Sequence, residues 1–290
     1  MRPQNDVSKA QADAVNLDKI GTVCLALGPY RNLTTLTASI IALHPNCQVL
    51  NHAGDRTFSN KELNIFYDYS DEKFDKFLKY AVIESTRGKQ GQYGGSILYS
   101  HAFDANRKMP ALYAKMYGNK LLKDDIRCLF WKEPLRTANY IRNHNVDLGE
   151  ILSRNDRLKF VMPVRNPMDC AKSNLKTGHV KLFSGLALPA SVENVLLAIF
   201  NEYLWFLDLK SRYPSRFFYY FEHQLGVDTL KDLASFLGLG FDDQWCAAAI
   251  EGFSVKSPYQ HTDELKDFYT HRVNELFEHQ PEFAEKLLLF

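Results

Sequence analysis

Residues 21–27 (GTVCLAL) form a short, β-branched, apolar run that stops at Gly28-Pro29, the pattern of a parallel strand buried on both faces. Residues 34–44 then place Leu36, Ile40, Ile41 and Leu43 at helical spacing and end at Pro45. The unit is strand, tight loop, helix. A second strand is expected over 47–50, with Asn51 and His52 at its C-terminal end. The stretch 58–122 is aromatic and helical in its first half and then turns into a glycine-rich loop, 87–95, where no strand is assigned. Strands follow over 127–131, 158–164 and 216–221, with helices over 134–145, 167–177 and 189–212 between them. A further helix is expected to start at Asp228 as N-cap and close at Gly238. This βα order predicts an α/β fold of three layers, a central parallel sheet between helices.

The 290 residues are 46% hydrophobic, enough to bury one large core. A flexible leader is expected over 1–18 and a single domain over 19–290, with acceptor-side insertions at 58–122 and 178–189. Lys+Arg 35 against Asp+Glu 34 leaves a net charge of +1, so no global field points to nucleic acid or an anionic membrane, and any anion site must be local. The five cysteines are scattered without metal-site spacing, which suits small core residues in a reducing compartment. No apolar run approaches the ~18 residues of a membrane span, and the polar start carries no signal-peptide pattern. A cytoplasmic protein is expected.

In parallel sheets ligands sit beyond the carboxyl ends of the strands, and three such ends are polar here. The first, Gly28-Pro29-Tyr30-Arg31-Asn32-Leu33-Thr34-Thr35-Leu36, delivers backbone N–H groups and two hydroxyls to a helix N-terminus, an anion cradle. An ordinary turn with Thr34 as N-cap is the plainer alternative. The loop lacks the Gly-Lys-Ser/Thr ending of a triphosphate P-loop, which disfavours ATP with magnesium and hence a small-molecule kinase. The second end, Arg165-Asn166-Pro167-Met168-Asp169, offers Asn166 as helix cap, with Asp169 in the first turn assigned to capping rather than to catalysis. Ser173, about two turns beyond, can point the same way as Arg165 to make a second anion site. The third end, Phe130-Trp131-Lys132-Glu133-Pro134, adds a cation.

These segments together resemble the PAPS-dependent sulfotransferases, whose donor is 3′-phosphoadenosine 5′-phosphosulfate (PAPS). Residues 30–36 look like that family's Pro-Arg-Ser-Gly-Thr-Thr-Leu loop for the 5′-phosphosulfate, followed by Ala42-Leu43-His44-Pro45 for its Ala-x-His-Pro. Arg165-Asn166-Pro167-x-Asp169-x-x-x-Ser173 looks like its 3′-phosphate element, and Phe221-Glu222 before 233–239 (LASFLGL) like its Tyr-Glu and Phe-Leu-Gly elements. Asn32, Leu33 and Phe221 depart from the pattern, standing for Ser, Gly and Tyr.

The resemblance implies a P-loop-containing nucleoside triphosphate hydrolase-like fold. It also implies PAPS as donor and adenosine 3′,5′-bisphosphate (PAP) as product, without a metal. Donor contacts would come from Arg31, Asn32, Leu33, Thr34, Thr35, Leu36, Arg165 and Ser173, and from Lys256 in a C-terminal loop. Lys132 resembles the lysine that stabilises leaving-group charge. His52 is the expected general base, seventeen residues beyond Thr35, where the protein-tyrosine branch carries a glutamate. Glu133 and His101 are alternative bases, and a packed or capping histidine is the plainer role for His52. A small-molecule, glycan or peptide acceptor fits the aromatic walls equally well, while oligomeric state is not legible. A non-catalytic nucleotide-binding protein on the same fold is the competing function.

Overall fold

The computed structural model describes residues 15–255, 257 and 259–290. The first βα unit is strand β1 (Thr22–Ala26) and helix α1 (Thr34–Ala42), followed by β2 (Cys47–Asn51). Next come α2 (Gly54–Phe58), α3 (Asp71–Glu84), the two-residue β3 (Gly95–Ser96) and α4 (Met109–Tyr117). Strand β4 (Cys128–Lys132), α5 (Pro134–Asn143), α6 (Leu148–Arg154), β5 (Leu158–Val164) and α7 (Pro167–Thr177) continue the alternation. The chain ends with α8 (Val192–Arg212), β6 (Phe217–Phe221), α9 (Val227–Phe236), α10 (Asp243–Gly252), α11 (Asp263–Leu276) and α12 (Pro281–Leu287).

The sheet order is β3-β2-β4-β1-β5-β6, with every pairing parallel except β2 to β3. Every residue of β1, β2 and β4 is buried, as the continuous apolar runs require of strands covered on both faces. Along β1, Val23 and Leu25 join a core under α3, α5, α7 and α8, while Cys24 and Ala26 join a second core under α1, α9 and α10. The helices form the two outer layers, as expected of this βα order. All five cysteines are buried and unpaired. Among the described residues, no helix is long and apolar enough to cross a membrane.

Four local expectations change. Strand β3 lies in the stretch assigned no strand, because left-handed backbone at Gly94 (φ 86°) and Gly95 (φ 113°) lets two residues turn back onto β2. Helix α8 starts at Val192 rather than 189, where Ser191 accepts a hydrogen bond from Asn194 N. Gly226, not Asp228, is the N-cap of α9; Asp228 sits in the first turn, where its charge still favours the helix dipole. The N-cap of α1 is Leu33, not Thr34.

Candidate functional site

The sheet order makes β2, β4, β1 and β5 immediate neighbours, so the loops leaving their carboxyl ends share one rim. That rim carries His52 after β2, Lys132 and Glu133 at the end of β4, residues 28–36 after β1, and Arg165 after β5.

The loop after β1 is built to present N–H groups. Arg31 (φ 64°) and Leu33 (φ 60°) both take the left-handed conformation, and Leu33, at the position where the resembled pattern has glycine, adopts the backbone that glycine favours. Left-handed leucine costs about 1 kcal/mol or more, strain of the kind held at ligand sites. No side chain caps α1, whereas Asn166, Ser191 and Asp242 cap α7, α8 and α10. The first-turn N–H groups of α1 are thus open to an anion. Thr34 and Thr35 hydroxyls hydrogen-bond to no other described residue.

Asn32 turns its side chain away from this cradle. It is fully buried, donates to Pro163 O, and accepts from Arg165 N (2.9 Å) and the Tyr203 hydroxyl (3.1 Å). It therefore braces the β1 loop against the end of β5, and only its backbone faces outward chemistry. Arg165, 7% exposed, donates to Arg31 O (3.3 Å) and pairs with Asp169 (3.3 Å), while its Nε has no partner among the described residues. A buried guanidinium N–H without a partner is costly and marks a place for an anionic oxygen. Ser173 accepts from Arg31 Nε at 2.8 Å and Arg165 donates to Arg31 O, so Arg31 links Ser173 and Arg165 into one cluster. Asp169 caps nothing; it is a buried carboxylate held between Arg165 and His261 Nε2 (2.9 Å). Capping is done by Asn166, which accepts from Met168 N and Asp169 N. Glu222 accepts from Asn166 N (3.0 Å) and so ties the end of β6 into this rim.

On the other side, Glu133 is fully buried and its carboxylate receives four donors. These are the hydroxyls of Tyr30 (2.8 Å) and Tyr93, Gly54 N (2.9 Å) and His52 Nδ1 (3.2 Å). A side chain on Gly54 would strike Glu133, its Cβ falling 2.8 Å from Cγ, so glycine alone permits the last turn of this clamp. Burial pushes the Glu133 pKa up, but the hydrogen bonds from His52 and Tyr93 and the Lys132 charge outweigh it and lower it below the usual carboxylate value. With both oxygens doubly engaged, all four lone-pair positions of Glu133 already face a donor.

His52 has left-handed backbone (φ 60°), pinned by Trp131 Nε1 donating to its carbonyl at 2.6 Å. Because Glu133 is an obligate acceptor, Nδ1 carries the hydrogen and Nε2 the lone pair. Lys132 donates to that nitrogen at 2.7 Å. Burial, and then the Lys132 charge, lower the His52 pKa despite Glu133. Burial also pulls Lys132 down to about 8, against the upward effect of Glu133. The Tyr93 ring stacks on His52 at 5.0 Å.

His101 is the least covered of the three candidate bases, and among the described residues no hydrogen bond fixes its ring nitrogens; desolvation, then the charges of Arg31 and Lys132, lower its pKa. Lys256 lies outside the described residues. Tyr93, His179 and His261 were missed by the sequence motifs. Tyr93 had a signal in its glycine-rich loop, whereas His179 and His261 reach the rim only through the path of the chain after α7 and α10.

Among the described residues no cluster of His, Cys, Asp and Glu could hold a metal ion. No family model and no curated protein matches the sequence. Among solved structures the chain is similar to mouse sulfotransferase SULT7A1 complexed with PAP, at 12% identity over 96% of this chain and 90% of that one, TM-score 0.49. It is similar also to the sulfotransferase domain from the curacin biosynthetic pathway, at 14% identity over 86% and 96% of the two chains, TM-score 0.42. Sulfotransferase STF9 from Mycobacterium avium aligns at 15% identity over 97% and 79%, TM-score 0.45. Likeness at this level concerns the course of the backbone, and the chemistry follows from the side chains of the rim.

Proposed function

We propose that the protein is a sulfotransferase that moves a sulfuryl group from PAPS to a hydroxyl or amine acceptor by in-line displacement, without a metal. The observation that carries this reading is the convergence of an uncapped helix N-terminus, a buried arginine with an unpartnered Nε, a buried lysine and an oriented histidine on four adjacent strand ends.

The residues fit such a donor. The amides of 33–36 with the Thr34 and Thr35 hydroxyls suit the 5′-phosphosulfate, and Arg165, Arg31 and Ser173 suit the 3′-phosphate. When bound, the donor supplies an activated sulfuryl group on a phosphate leaving group. Lys132 places an ammonium where negative charge would develop on the departing oxygen, the kind of fixed stabilisation that lowers a barrier most. Glu133 holds the His52 ring in one tautomer, so that Nε2 can take the proton of the acceptor hydroxyl as its oxygen bonds to sulfur. In the free protein Lys132 occupies that lone pair, and turning the ammonium toward an anionic oxygen frees it. The proton leaves to solvent from His52, and the products are the sulfated acceptor and PAP.

A soluble protein of the cytoplasm acting on a small molecule, glycan or peptide is the setting we propose. The test is release of PAP from labelled PAPS across a panel of phenol, sugar, amine and tyrosyl-peptide acceptors in EDTA. Acceptor-dependent release supports the reading. PAP binding with no release on any acceptor would favour a nucleotide-binding protein instead.

A further inference from the structure

His179 belongs to no motif and follows α7 in a short 3-10 turn, yet it lies at the rim. Its ring packs against Tyr30 with centroids 5.2 Å apart, and the other neighbour of that tyrosine is His52, at 6.3 Å. Tyr30 is fixed through its hydroxyl on Glu133, so both imidazoles are indexed to the same buried carboxylate.

The protonation pattern of His179 follows from one hydroxyl. Thr177 Oγ1 lies 2.7 Å from Ser173 O and 2.6 Å from His179 Nδ1. The hydroxyl has a single hydrogen, and a carbonyl oxygen can only accept it. Thr177 therefore spends its hydrogen on Ser173 and accepts one from His179 Nδ1. In the neutral ring Nε2 is then the bare nitrogen, and no described residue donates to it. Burial, followed by the charges of Arg31 and Lys132, lowers the pKa of His179.

Two histidines beside one tyrosine thus carry a hydrogen-free Nε2, that of His52 held by Lys132 in the free protein, and only one of them is needed to remove a proton. We propose that His179 Nε2 is a specificity-determining contact for the acceptor. It takes a hydrogen bond from a second hydroxyl or N–H, beside the hydroxyl that loses its proton to His52. The site would then select polyhydroxylated acceptors, a sugar ring or an aryl diol, over those with one hydroxyl. The ring centroids lie at most about 12 Å apart, a span that such a ring bridges with a hydrogen bond of about 2.8 Å at each end. This assignment rests on the transferase reading for the role of His52, but the tautomer of His179 does not.

The experiment has two arms, both read without turnover. Side-chain 15N spectra of the free protein should show His179 Nδ1 protonated and Nε2 bare near pH 7.5. Calorimetry on the PAP-loaded protein should show at least one of the three benzenediols binding about 3–10-fold more tightly than phenol, the worth of one neutral hydrogen bond. That advantage should vanish in His179→Phe, which keeps the ring packing on Tyr30, and return at least in part in His179→Gln. A protonated Nε2, a diol advantage surviving in His179→Phe, or no diol advantage in the wild type would each overturn the proposal. If PAP does not bind, the same titrations are read on the free protein: a diol preference that is lost in His179→Phe there leaves the His179 contact standing while the transferase reading fails.

Discussion

Replacing Glu133 by glutamine removes a charge and one acceptor while barely changing shape. Glutamine offers one oxygen, so at most two of the four donors now aimed at Glu133 keep a partner, and its NH2 faces the other two. Two orphaned buried donors at about 1–3 kcal/mol each give a destabilisation of about 2–6 kcal/mol. At about 2.1 cal/mol/K per residue, the unfolding entropy of a 290-residue chain is about 0.6 kcal/mol/K, so Tm should fall by about 3–10 °C. His52 loses the partner that fixes its tautomer, and kcat should drop by about 10²–10⁴, the usual worth of a general base. The pH profile separates roles. Activity needs neutral His52, so the acid limb tracks its pKa, already lowered by burial and Lys132; losing Glu133, which raises it, should move the limb to still lower pH. Differential scanning calorimetry and initial rates of PAP release measure both effects. A Glu133→Gln variant with Tm within about 1 °C of wild type and kcat within about threefold would refute the clamp, and loss of the acid limb would make Glu133 itself the base.

The basic limb should belong to Lys132: kcat/KM for the donor should fall above about pH 8 as the ammonium deprotonates, and Lys132→Arg should lose that limb even if its rate is lower. Arg165→Ala should weaken PAP binding by about 10–100-fold and Ser173→Ala by about 2–10-fold, both read by calorimetry; unchanged affinity in a folded Arg165→Ala would show the second anion cluster to be misassigned. Asn32→Ala should cost about 2–6 kcal/mol in urea unfolding, since Arg165 N and the Tyr203 hydroxyl lose their partner, and a variant as stable as wild type would show that the brace does not stabilise the fold. His52→Ala should lower kcat by about 10²–10⁴ with PAP affinity retained, and a full-rate variant on a verified acceptor would move the base elsewhere.

Five of the six strands were legible because they are short apolar runs whose ends are marked by Pro, Gly and polar residues, while β3 has only two residues; α7 was legible to the residue because Asn166-Pro167 starts it and Gly178 ends it. What the sequence hid depends on contacts between distant segments. Asn32 looks like a cradle residue, but its amide is turned by groups 131 to 171 residues away. Glu133 looks like a base beside a lysine until four donors from separate loops fill its lone pairs. Leu33 looks unfit for a phosphate loop by residue type, yet its backbone adopts the left-handed turn anyway. His179 carries no periodic or motif signal at all; only the turn after α7 brings it to Tyr30.

The most direct test of the central claim is calorimetric titration of the protein with PAP in EDTA, with ATP and magnesium as the comparison. The uncapped helix, Arg31, Arg165 and Ser173 predict saturable binding of PAP. At a hundred times its Kd, PAP should stabilise the fold by about 2.7 kcal/mol, with little effect from ATP and magnesium. Binding of ATP with magnesium and none of PAP would contradict the account.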